Sequence, residues 1–173
     1  VPISFNRQVC GPWTLLEGEN NCYGKDPNAP TWALGYTANK LFDGILVAGG
    51  EWISSWDNGP ISFPMTFVVD MGETRVFTKF LISDYTTHQG NYREYEIYIA
   101  DVYNGGSTQW TLVADGKRDF KGWTGKVETY DYPVKKMIAG RYLKFMIMKP
   151  ENPQTGDYLN GRGKLADVQG MGF

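Results

Sequence analysis

Three stretches of the chain interleave aromatic rings with planar hydrogen-bonding side chains. The first carries Trp56, Asp57 and Asn58, and the second Tyr85, His88, Gln89, Asn91 and Arg93. The third carries Tyr158 and Asn160. Such sets suit a ligand with an apolar C–H face and a rim of hydroxyls. A ring stacks on the face, and each hydroxyl that leaves water must find a donor or acceptor or affinity is lost. A pyranose has that form. The single residues read less uniquely. Trp56, flanked by Ser55 and by Asp57-Asn58-Gly59, reads as exposed and binding. His88 reads either as a ligand contact or as a solvated loop residue, and Arg93 either as a ligand donor or as the partner of an acid on a neighbouring strand. Trp13 and Trp110 read as core or edge packing, and Trp123 as exposed, at an end of the fold that the sequence does not assign.

Covalent chemistry finds little support. A Ser-His-acid triad would have to use His88, the chain's 1 histidine, and no Gly-x-Ser-x-Gly elbow is present. Asp57, Asp84 and Asp157 lie in the candidate stretches and leave a carboxylate pair open, but a glycosidase needs two such groups facing across a cleft. The reading is therefore noncatalytic, with no catalytic residue assigned.

The chain has 173 residues, enough for one domain with a real core. Aromatic residues make up 15% of it, with 6 Trp and 11 Tyr, rich for an ordinary soluble domain; some of these rings must be core, and the excess raises a binding role without deciding it. The 17 Lys and Arg are scattered among 19 acids for a net charge of -2, which argues against nucleic acid and anionic membrane as partners. No stretch is long and apolar enough to span a bilayer as a helix. The chain opens at Val1-Pro2 without a signal-like core, so it reads as a mature or trimmed piece of a longer protein. Cys10 and Cys22 either close one small loop, if the domain is secreted, or stay as two thiols. With a single histidine and no second Cys pair, zinc is not expected.

The elements that must position these residues are strands. Phe63, Met65, Phe67 and Val69 alternate onto one face, as do Tyr95, Ile97 and Ile99, and again Leu143, Phe145 and Ile147. Residues 75–83, 109–114 and 126–132 behave similarly, 165–173 forms a closing strand, and 13–16 an edge strand. Clusters of Gly, Pro, Asn and Asp separate the runs, at 57–60, 104–106, 122–125 and 152–163. Short strands so punctuated predict an antiparallel β-sandwich or barrel. No amphipathic helix exceeds about two turns; residues 37–42 hold one helical turn that Asp43-Gly44 ends.

Order and spacing carry a resemblance that runs from Trp13 to Phe173. Lys40-Leu41-Phe42-Asp43-Gly44 leads into Glu51-Trp52-Ile53-Ser54 and is answered near the C-terminus by Leu165-Ala166-Asp167-Val168. Between them lie PMTFVVDMG (64–72), REYEIYIAD (93–101), WTLVADG (110–116) and RYLKF (141–145). Taken together these resemble the discoidin, or F5/8 type C, domains, whose sugar-binding branch is carbohydrate-binding module family 32. The resemblance implies an all-β, jelly-roll sandwich like the galactose-binding domains, with residues 1–173 as one domain and Trp52 in the core. It also implies that the N-terminus runs close to the C-terminus, which suits a module tethered to other domains.

The same resemblance implies a structural calcium ion, held by backbone or side-chain oxygens of Lys40, Asp43, Ile45, Gly50, Ala166 and Asp167. Calcium takes roughly six to eight hard oxygen ligands and accepts main-chain carbonyls. This chain departs from the family pattern in three ways. The Asp43-to-Trp52 stretch is longer than usual, Gly50 replaces a hydroxyl ligand with a bare carbonyl, and Asp167 is a methylene shorter than the usual Glu. The alternative is that Asp43 only caps a turn and Asp167 faces water.

For function, the resemblance implies a noncatalytic module of a secreted, cell-surface or periplasmic bacterial protein. The parent would be a glycan-processing chain such as a hexosaminidase, and the targets terminal galactose or N-acetylhexosamine sugars. Tyr85 to Arg93 looks like a shortened form of the family's Arg/His…Asn-x-Arg loop, and residues 157–162 lie where many relatives place an aromatic platform. The alternative is an adhesion or scaffolding discoidin domain that binds protein or lipid; the loops here are polar-aromatic rather than greasy and basic, which favours sugar.

Overall fold

The computed structural model describes residues 6–46, 52–53, 63–85, 94–117, 127–148 and 164–173. The strands are β1 (Arg7–Val9), β2 (Thr14–Glu17), β3 (Trp52–Ile53), β4 (Met65–Tyr85), β5 (Glu94–Ala100), β6 (Thr111–Lys117), β7 (Val127–Pro133), β8 (Ala139–Ile147), β9 (Lys164–Leu165) and β10 (Asp167–Gly172). All pairings among them are antiparallel.

One long strand builds both layers. The first half of β4 pairs with β2 and β8, and β8 continues to β5 and β6. Its second half pairs with β7 and β10, and β10 with β1. The register breaks between Asp70 and Arg75, where Gly72 takes φ 83 and donates its N–H to Asp70 Oδ1 at 2.8 Å. A bulge of this kind bends a strand and increases its twist, so β4 folds one curled sheet over itself. The expected strands at 63–70 and 75–83 are thus one element.

The alternation read from sequence fills the space between the layers. Phe67, Val69, Ile97, Ile99, Leu143, Phe145 and Ile147 are buried from the first layer, and Phe80, Ile82, Tyr132 and Val168 from the second. Tyr95 bridges them by meeting Tyr132 edge-on at 5.6 Å, and within the first layer Phe67 stacks with its register partner Phe145 at 6.3 Å. Trp52 is fully buried and meets Phe67 edge-on at 5.6 Å, as its core reading expected. Trp13 is core as well. The expected helical turn is a 3-10 helix, Ala38–Phe42, that packs Leu41 and Phe42 into the core. Arg7 stands opposite Gly172, which brings the two ends of the described chain side by side. Cys10 is exposed and Cys22 buried, both as free thiols, so the pairing considered for them is not made.

Candidate functional site

The strand registers gather the connections at one end of the sandwich. In the first layer Met65 faces Ile147 and Glu94 faces Lys117. In the second, Tyr85 faces Val127 and, beside it, Ile53 faces Lys164. The chain joins these ends through residues 54–62, 86–93, 118–126 and 149–163. The candidate ligand residues Trp56, Asp57, Asn58, His88, Gln89, Asn91, Arg93, Tyr158 and Asn160 lie outside the described residues, as do Gly50 and Trp123. Tyr85 is described as the last backbone position of β4. What the structure contributes is the set of strand ends that bracket all three stretches, and the 118–126 stretch with them.

Beneath this end sits the Asp-Gly turn. Asp43 follows the 3-10 helix, and Gly44 takes φ 80 there, a conformation favoured by glycine. The Ile45 N–H donates to Asp43 Oδ1 at 2.9 Å, and the Gly44 N–H to Asp167 Oδ1 at 3.4 Å. Asp167 opens β10 opposite Ser83 and is fully buried, so it does not face water. Its other oxygen accepts from Gln169 Nε2 at 2.6 Å, and Gln169 in turn accepts from Gln8. Burial, with a smaller push from the Asp43 charge, raises the Asp167 carboxyl to about 7. Burial also raises Asp43, against the pull of the nearby Lys40 ammonium.

The half-buried Asp43 carboxylate thus neighbours the buried Asp167, and its charge is part of what raises Asp167. Among the described residues no group of three His, Cys, Asp or Glu side chains gathers anywhere. A cation here would therefore take two side-chain carboxylates and complete its shell from backbone carbonyls. That donor set of hard oxygens fits calcium and not a soft or borderline metal.

A different polar arrangement covers the outer face of the first layer. The Lys144 ammonium lies 4.2 Å from the Tyr98 ring centre and 5.2 Å from that of Trp110. Tyr98 donates to Glu96 at 2.5 Å, and its hydroxyl is pushed up to about 12, first by that hydrogen bond. Burial lowers Lys144 against the pull of Glu96 and Glu17. Trp110 is therefore edge packing around a cation, one of the two roles expected for it.

The opposed antiparallel layers, with the Asp43-Gly44 turn tied to Asp167 at the start of β10, define a discoidin-like β-sandwich. The chain belongs to the F5/8 type C domain family, whose model matches residues 25–159. It is similar in fold to the C-terminal domain of a chitobiase from Bacteroides fragilis, with TM-score 0.68 at 16% identity over 96% of this chain and 97% of that one. It is also similar to the family 32 module of Clostridium perfringens NanJ, solved with galactose: TM-score 0.55, 20% identity, 79% and 85% of the two chains covered. A third is the C. perfringens module CpGH89CBM32-5, solved with GalNAc-β-1,3-galactose, at TM-score 0.60 and 14% identity over 94% and 97%. No curated protein matches the chain in sequence.

Proposed function

We propose that this domain is a noncatalytic carbohydrate-binding module that brings a secreted or surface-attached glycan-processing protein to terminal galactose or N-acetylhexosamine sugars. The observation that carries the reading is the convergence of strand ends. Every stretch that interleaves aromatic rings with Asn, Asp, Arg and Gln is bracketed by ends at one pole of the sandwich. Family membership supports it, as do similar folds solved with galactose and with GalNAc-β-1,3-galactose. Trp56 supplies the stacking ring, and Asp57, Asn58, Tyr85, His88, Gln89, Asn91, Arg93, Tyr158 and Asn160 supply further contacts. Such a site is shallow and weak alone, and tethering to a catalytic chain converts it into raised local concentration.

The same proposal places a structural calcium ion at the turn, held by Asp43, Asp167 and carbonyls of Lys40, Ile45, Gly50 and Ala166. The fully buried Asp167 carboxylate, raised in part by the charge of half-buried Asp43, is what supports it.

A glycan array with the isolated domain, run with calcium and with EDTA and beside Trp56→Ala, tests both parts. Binding to a defined terminal sugar that Trp56→Ala abolishes is the expected result. Silence from folded protein would reject the module reading in favour of a protein or lipid contact.

A further inference from the structure

Beside the main core lies a small second cluster built from Tyr23, Ala29, Ala33 and Tyr36. It carries Trp32, the residue of the 3-10 helix Thr31–Gly35 that the sequence pattern leaves unremarked. More than half of the Trp32 surface, 59%, is open to solvent, and Leu34 beside it is 55% open. Yet the indole is braced. Tyr23 meets it at 5.8 Å and 70°, and Tyr36 at 6.2 Å and 85°.

The support beneath is rigid backbone. The Gly24 N–H donates to the Tyr36 carbonyl at 3.1 Å, and a Cβ on Gly24 would stand 2.9 Å from the Leu34 carbonyl oxygen. The two segments therefore touch main chain to main chain. They are fixed at the loop-bearing pole. The Asn21 carbonyl accepts from Trp52 Nε1 at 2.6 Å, and Asn21 Nδ2 donates to the Thr66 carbonyl at 3.1 Å, beside the first residue of β4. β2 runs antiparallel to β4 and leaves Glu17 in the direction of Met65.

From this placement we propose that Trp32 is a preformed stacking platform for a neutral hexopyranose ring, at the same end as the loop residues. The proposal rests on the carbohydrate reading and adds a residue and a subsite to it. The chemistry around the indole selects the ligand. In the sequence around the indole, Asn28, Thr31, Gly35 and Asn39 are exposed polar or small residues, and Lys25 is an exposed cation. A patch of one indole and one Leu, set among amides and hydroxyls, is too small and too weakly basic for a lipid surface. It matches the C–H face of one sugar and its rim of hydroxyls. Because the ring is already braced, little rotamer freedom is lost on stacking.

The test is a panel of galactose-, N-acetylgalactosamine- and N-acetylglucosamine-terminated glycans, probed with wild type, Trp32→Ala and Trp32→Phe. Melting temperature is recorded for each. We expect Trp32→Ala to weaken binding by about tenfold or more, Trp32→Phe to retain most of it, and neither to lower the melting temperature much. Wild-type binding undiminished in Trp32→Ala overturns the platform and leaves the module reading standing. Loss in both variants with a fall in melting temperature assigns the ring a structural role and also overturns the platform. No wild-type binding to any of the glycans overturns both.

Discussion

Asp167 and Asp43 share one turn: the N–H that follows Asp43 in the chain, that of Gly44, donates to the buried carboxylate of Asp167 across 123 positions of sequence. The last strand is thereby tied to the turn that closes the N-terminal region, through a group whose charge is costly where it sits. That cost makes the tie sensitive to protons and cations.

In EDTA, stability should fall as pH rises from about 4 to about 7. Burial raises the folded Asp167 carboxyl to about 7 from its ordinary 3.8, so the folded state holds a proton that the unfolded state has lost. Its stabilisation is complete below the unfolded value and gone above the folded one. The expected loss is on the order of 1–3 kcal/mol, read by urea titration at several pH values. A bound calcium ion would keep the carboxylate ionised and flatten the profile. A profile flat in EDTA would reject the burial argument.

Asp167→Asn separates metal from packing. It keeps the shape and removes the charge, so the EDTA-treated variant should melt at or above wild type at pH 7.5. Added calcium should raise the wild-type melting temperature and leave the variant unmoved. Equal gains in both would place any ion elsewhere.

Trp52→Ala should cost about 3–5 kcal/mol, because it empties a fully buried site and leaves the Asn21 carbonyl without its donor. Chemical denaturation measures this, and a cost under about 1 kcal/mol would contradict the packing.

Gly140→Ala should also destabilise. A Cβ there would lie 2.3 Å from Ile99 Cγ2 and 2.7 Å from the Ala100 carbonyl oxygen. Separating β8 from β5 to make room costs about 1–3 kcal/mol. An unchanged denaturation midpoint would show that the strands are less closely apposed than described.

The two thiols should differ in reactivity. Exposed Cys10 should react with a thiol reagent in the folded protein, whereas Cys22, buried and held above its usual range by that burial, should wait for unfolding. One fast equivalent and one that tracks unfolding is the expected trace. Two slow equivalents would place Cys10 in the interior.

Much of the core was legible because it rests on period two. Phe67, Val69, Ile97, Ile99, Leu143, Phe145 and Ile147 are buried where alternation put them. The continuity of β4 was not legible, because Asp70, Gly72 and Glu73 have the composition of a turn, and the bulge that carries the strand through them depends on the bend between layers. Trp32 was missed for a related reason. The 23–36 stretch has no periodicity, and its cluster forms through backbone contacts to Gly24 that side-chain patterning does not encode. Nor does an Ala-Asp step reveal whether the carboxylate faces water; Asp167 is buried by residues distant in sequence. Family resemblance named the turn, and the fold supplied the burial. The loop residues from Trp56 to Asn160 rest on their chemistry and on the strand ends around them.

The pairing of β1 with β10 has a mechanical consequence. Arg7 lies opposite Gly172, and β10 runs from Asp167, below the loops, toward the far pole, so both ends of the described chain leave there together. Tension applied through them would load three residue pairs one after another, as a zipper opens, instead of shearing the strands past each other. Under such a load β1 would peel first and lengthen the connection between the two ends while the aromatic core stayed folded.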